Sequence, residues 1–223
     1  MKQVAVLGLG DFGLSLAQHL KENGVSVLAV DVKRARADLL REEIDHVVIA
    51  DITQAAALTK LRLQAMDCVV VAASSPLPTS ILCVLRLKEM GVKHIVAKAE
   101  NRDHATVLKA MGVDDIIIPE HDSARRLGHR LSYSSVLEMF EFSAGAGIME
   151  IAVPETISGK TLRNSGLRDK YRVQLLGIRK KPGASLEPVP DPDEVIFSDY
   201  TMIVFGDEEH LAGLRHEAEK RSD

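Results

Sequence analysis

Tryptophan is absent and aromatic residues make up only 4% of the 223 residues. That disfavours an aromatic stacking platform for single-stranded nucleic acid. Cysteine is nearly absent too: Cys68 and Cys83 stand in apolar settings without C-x-x-C spacing. They read as packed thiols rather than as a disulfide or a metal pair. There is no excess of positive charge, the formal net charge being −4, so bulk electrostatics support neither nucleic acid nor an anionic membrane surface as partner. No apolar run approaches the ~20 residues of a membrane span. The N-terminus offers only Lys2 before strand-like residues, which is not a signal peptide. These absences lead us to expect a soluble cytoplasmic protein. At 46% hydrophobic residues it can bury one good core and a second, smaller one.

The chain does have a glycine-rich turn in an informative place. Val4-Ala5-Val6-Leu7 reads as a buried strand, and Gly8-Leu9-Gly10-Asp11-Phe12-Gly13 follows at G-x-G-x-x-G spacing. Gly8 permits the tight turn, Gly10 lets a phosphate approach the backbone, and Gly13 lets the next helix pack close to the strand. The free N–H groups and dipole at that helix start suit an anion. Asp31 closes the next apolar run, Val25 to Val30, about the ~20 residues downstream at which a carboxylate meets a ribose diol. The spacing predicts a nucleotide-binding unit.

Strand and helix patterns alternate after this point. Strands are predicted at 47–50, 68–72, 94–97 and 115–118. Between them, helices are predicted over 33–43 with Leu39 and Leu40 inward, from Thr53 to Leu61, from Thr79 to Met90, and over 102–111. Short apolar strands separated by helices indicate a parallel sheet covered on both faces, in the order 3-2-1-4-5-6. Beyond Pro119 two helices are expected, 121–131 and 134–140. The apolar Val136, Leu137, Met139 and Phe140 on the second would need a partner chain to cover them. After the small-residue joint at 143–147 the texture is β-rich, ending in a helix that carries Leu211 and Leu214. The histidines, His104 among them, lack H-x-x-x-H spacing and read as surface or interface residues.

The phrases VLGLGDFG, VLAVD, VVIAD and VAKAENRDHATVLKAMGVDDIIIPEHDSA resemble the N-terminal module of RCK domains, the regulators of K+ conductance of TrkA and KtrA type. VPETISGKTLRNSGLRDKYRVQLLGIRK and DYTMIVFGDEEHL resemble the C-terminal module. The resemblance implies a Rossmann nucleotide-binding domain (1–120), crossover helices for dimerisation (121–142) and a small α+β domain (143–223). It implies a cytosolic, nucleotide-sensing, non-enzymatic gating subunit, peripheral at the inner face of the cell membrane. Homodimers would assemble into an octameric ring docked on a membrane K+-translocating subunit.

Strand ends and resemblance together assign nucleotide binding (ATP, ADP or NAD(H)) to Gly8, Gly10, Asp11, Phe12, Gly13, Asp31, Val32, Asp51, Ile52, Ala73, Ser74 and Lys98. Asp11 stands where the family often carries Arg, and it repels phosphate unless a divalent ion lies between. Resemblance makes Glu120 a ligand for a divalent cation, Mg2+ or Ca2+, or an interface residue. It also makes Arg168, Gln174, Leu175 and Ile178 contacts for cyclic di-AMP, with Gln174 where binders tend to have Asn. Arg163, Arg168, Lys170 and Arg172 could together hold an anion. Two other functions compete: an NAD-dependent oxidoreductase, for which the last ~80 residues offer no nucleophile–base pattern, and a regulator of a cation/H+ antiporter.

Overall fold

The computed structural model describes residues 2–44, 46–142, 145–181 and 183–220. The chain divides into two compact units, Met1–His121 and Asp122–Asp223.

The first unit is a six-stranded parallel sheet, built from β1 (Gln3–Leu7), β2 (Ser26–Asp31), β3 (His46–Ile49), β4 (Cys68–Val71), β5 (Ile95–Lys98) and β6 (Asp115–Ile117). Its order is β3-β2-β1-β4-β5-β6, as the alternation predicts. Because side chains alternate along a strand, each run feeds two cores. Ala5, Leu7, Leu28, Val30, Val69, Val71, Ile95 and Ala97 face one side. There they meet Leu58 of α3 (Ala55–Lys60), Cys83 and Leu87 of α4 (Leu77–Glu89), and Leu108 of α5 (Arg102–Ala110). Val4, Val6, Val27, Ala29 and Val70 face the other, against Ala17 of α1 (Asp11–Glu22) and Leu40.

Helix boundaries depart from the periodicity in places. The helix expected over 33–43 is only α2 (Arg34–Asp38), followed by turns. Leu40 is fully buried there but Leu39 points to solvent. Thr53 does not cap α3: its hydroxyl donates to Asp51 Oδ1 instead, and Gln54 is the residue before the helix. α4 starts at Leu77, two residues before Thr79.

The second unit is an antiparallel five-stranded sheet, order β10-β9-β11-β8-β7. Its strands are β7 (Val136–Glu141), β8 (Ala146–Ala152), β9 (Gln174–Arg179), β10 (Glu187–Pro188) and β11 (Thr201–Asp207). Met149, Ile151, Ile178, Met202 and Val204 meet Leu211 and Leu214 of α7 (Glu208–Glu219) in its core. Asp207 caps α7 by accepting the His210 N–H at 2.9 Å.

Residues 121–142 do not form two helices. α6 (Pro119–Ser132) is followed by β7, whose Phe140 pairs with Ile148 of β8. Apolar residues at 136, 137, 139 and 140 fit helical spacing. A waiting strand edge decided otherwise, with a bulge between Val136 and Glu138 that brings Val136 and Met139 to one core. Both are covered inside this unit, so they are not evidence for a partner chain.

Candidate nucleotide site and a second cleft

The C-terminal ends of β1, β2, β4 and β5 gather most residues of the candidate site. Gly8, at φ +99, turns the chain out of β1, and a Cβ there would lie 2.7 Å from Ala73 Cβ. Gly13 packs so close that a Cβ would meet Gly8 O at 1.9 Å. Gly10 differs: nothing lies within 4 Å of where its Cβ would be. Packing therefore demands Gly8 and Gly13, whereas the space over Gly10 is open to a ligand. Gly10 also stands before α1, whose start no side chain caps, leaving its first-turn N–H groups for an anion. Asp11 lies in that first turn, and Phe12 follows it.

Asp31 is only 4% exposed. Its Oδ2 accepts the Leu9 N–H and its Oδ1 the Lys33 N–H, both at 2.7 Å, tying the glycine turn to the end of β2. A carboxylate has about four acceptor sites, so two remain for ribose hydroxyls. Arg36 approaches Oδ2 at 3.7 Å. Val32, 60% exposed, offers an apolar surface beside it, while Ile52 is buried in the core. Asp51 accepts the Thr53 N–H at 2.9 Å and its hydroxyl at 2.7 Å, and these bonds hold its carboxyl below the usual range. Ala73 donates its N–H to Leu7 O and so seats the β4–α4 loop, with Ser74, against β1.

Lys98 is not a solvated strand-end lysine. It is 15% exposed, its Nζ lies 2.7 Å from Glu120 Oε1 and 6.0 Å from the Phe12 ring centre. That bond holds the Glu120 carboxyl below its ordinary range. Glu120 is therefore engaged with a cation, and among the described residues no group of three or more His, Cys, Asp or Glu is placed to hold a metal ion.

In the second unit a cleft of about 710 Å³ is lined by Arg163, Arg168, Gln174 and Leu175, with Leu162, Leu167, Val189 and Pro190 as apolar wall. Asp169 and Asp191 also reach it. The structure corrects two expectations here. Ile178 is fully buried in the core and is not among the residues that line the cleft. The four cations do not form one cluster: Lys170 instead bonds Tyr171 Oη at 2.7 Å and lies 3.9 Å from Glu217, while Arg163 pairs with Asp193 at 2.8 Å. The contribution of Leu162, Val189 and Pro190 was not visible in the sequence, since they come from separate loops.

The TrkA-N domain model matches residues 4–119 and the TrkA-C domain model residues 148–218. The chain belongs to the TrkA-N/TrkA-C family of Ktr and Trk potassium-uptake proteins. It is 36% identical to Ktr system potassium uptake protein C of Bacillus subtilis (strain 168) over 205 residues, 92% of each chain. It is 34% identical to Ktr system potassium uptake protein A of Vibrio alginolyticus over 211 residues, 95% of each chain. Among solved structures it resembles the GsuK channel bound to NAD, with TM-score 0.71 and 21% identity over 97% of this chain and 39% of that one. A GsuK structure bound to ADP matches 58% of this chain and 34% of that one, with TM-score 0.52 and 21% identity. The chain thus spans about two fifths or less of those channel chains, and the likeness shows the fold. Among the described residues no helix is long and apolar enough to cross a membrane.

Proposed function

We propose that this chain is a cytosolic regulatory subunit of a bacterial K+ uptake system, and that an adenine nucleotide in the first unit sets its shape. The observation that carries this reading is the contrast among the three glycines: two are packed shut and one is open, beside an uncapped helix start and a buried carboxylate with spare acceptors. That arrangement takes a pyrophosphate over Gly10 and a ribose on Asp31. Val32, Asp51 and Ile52 would border the adenine, Ala73 and Ser74 the second ribose or phosphate, and Lys98 a phosphate oxygen. Similarity to structures bound to NAD and to ADP supports this ligand class.

Asp11 places a carboxylate in the phosphate-facing turn, which disfavours the more highly charged ligands. Nucleotide exchange would act by shifting a population between two shapes, only as far as the ligand binds them differently. The output would pass to a separate membrane K+-translocating subunit. Exposed Leu127 and Leu131 on α6, and Leu137 and Phe140 on β7, supply apolar surface for a homodimer and a ring. The second cleft would take cyclic di-AMP, with Arg168 donating to a phosphate and Gln174 to a base or ribose edge.

Calorimetry of the full chain with NAD, ADP and ATP tests the first cleft. Binding that is lost in Asp31→Ala supports the reading. Preference for NADPH over all three, or robust hydride transfer to common alcohols or acids, overturns it.

A further inference from the structure

α4 buries Ser80, Cys83, Val84 and Leu87, a helical stripe with one hydroxyl in it, and α5 buries His104 and Leu108. The two helices pack against each other. A buried hydroxyl and a buried imidazole need partners, and here each finds a full set. The His104 N–H donates to Asn101 Oδ1 at 2.9 Å, the cap of α5. The Glu100 N–H donates to His104 Nδ1 at 3.1 Å. A backbone N–H can only donate, so Nδ1 carries no proton and the ring proton sits on Nε2. Nε2 then donates to Ser80 Oγ at 3.0 Å, and the Ser80 hydroxyl donates to Leu77 O at 2.9 Å. Every proton in the chain is assigned, and all of it requires a neutral ring. His104 is thus no surface histidine, as its spacing alone had suggested; it is 3% exposed.

The two ends of this chain matter. Leu77 is the first residue of α4, immediately after the β4–α4 loop that carries Ala73 and Ser74. Glu100 stands two residues after Lys98, the end of β5. The chain therefore joins the two loops that border the nucleotide cleft. We infer that His104 is a positioning residue for that cleft: its neutral ring ties the β4–α4 loop to the β5–α5 loop, and protonation unties them and weakens nucleotide binding. This rests on the nucleotide reading above.

A proton on Nδ1 would set two donors face to face, Nδ1–H against the Glu100 N–H, and leave a buried cation. The groups that bear on the ring are few. Burial disfavours the charged ring and outweighs the Glu100 carboxylate, which favours it, so the pKa lies below the ordinary value. From α4 the titratable neighbour on the buried stripe is Cys83, kept neutral by burial with its thiol pushed up to about 12. On α5, Arg102 is engaged with His121 at 2.9 Å and Asp103 stands next to it in the first turn. At the end of β5, Lys98 is paired with Glu120.

Two measurements test the inference on the full chain. Histidine C2 hydrogen exchange, read by mass spectrometry across pH, should give His104 a midpoint below the ordinary ~6.5. A midpoint at or above it overturns the inference. NAD affinity should then be followed from about pH 8 to about pH 5. If the protonated form does not bind, affinity falls about tenfold one pH unit below the His104 midpoint, with the same inflection. His104→Gln can still donate and accept but cannot charge, and its affinity should stay flat over that interval. A decline that persists unchanged in His104→Gln overturns the inference. Absence of binding of NAD, ADP and ATP alike at every pH in both proteins would instead remove the nucleotide reading, and the loop-tying role with it, even if the exchange midpoint were low.

Discussion

The two units build their clefts in different ways. In the first, a parallel sheet is covered on both faces, so only strand ends are free. The candidate contacts lie where β1 to β5 stop, and three glycines with one carboxylate organise them. In the second, an antiparallel sheet leaves a cleft walled by the start of β9 (174–175) and by connecting segments far apart in sequence, 162–169 and 189–192. A parallel sheet concentrates a site into short contiguous motifs. An antiparallel sheet with long connections assembles one from pieces.

The largest effect that would sharpen this contrast is Gly13→Ala. Its Cβ would fall 1.9 Å from backbone oxygen, which cannot swing aside, so a loss of about 3 kcal/mol or more is expected in urea denaturation. Gly10→Ala meets nothing and should cost under about 1 kcal/mol while abolishing NAD binding in calorimetry. Equal stability losses in the two variants would break the claim that one glycine serves the ligand and the other the packing.

Met139→Ala comes next. If β7 is a core strand of the second unit, stability falls by about 2 kcal/mol, with oligomeric state unchanged by light scattering. Dissociation without loss of stability would return these residues to a subunit interface. Arg168→Ala should weaken cyclic di-AMP binding to the full chain by about ten- to hundredfold and leave NAD binding as it was. An equal loss for both ligands would show that the two clefts are not separate.

The smallest effect is in acid. Asp51 and Asp114 are held below the ordinary carboxylate range, chiefly by bonds from Thr53 and from the Ile95 N–H. A depressed carboxyl pKa contributes stability that is fully present above the unfolded value near 3.8 and lost as pH falls through the lower folded value. His104 is likewise depressed. Its contribution is present above the ordinary histidine pKa of ~6.5 and is lost as pH falls from there through the lowered folded value. Denaturation midpoints should therefore slope downward in a first shallow step below neutrality and a second near the carboxylate range. His104→Gln should remove only the first.

Much of the first unit was legible because its signals are local. Short apolar strand runs, closed by glycine after β1, by an acid after β2 and β3 and by proline after β6, determined the parallel sheet, its strand order and the strand-end position of Gly10 and Asp31. The family resemblance extended that reading to the small C-terminal module. Local periodicity could not say that 136–141 is a strand, since apolar spacing there fits a helix equally, and the edge of β8 made the choice. Nor could it say that Leu39 faces out while Leu40 faces in, or that Ile178 belongs to the core and not to the cleft. Above all it could not pair Ser80 with His104 across 24 residues, nor Lys98 with Glu120 across 22. Sequence spacing determines which residues share a face of one element. Which element lies opposite, and so whether a buried polar group finds its partner, is settled only when the sheet brings distant helices and loops together.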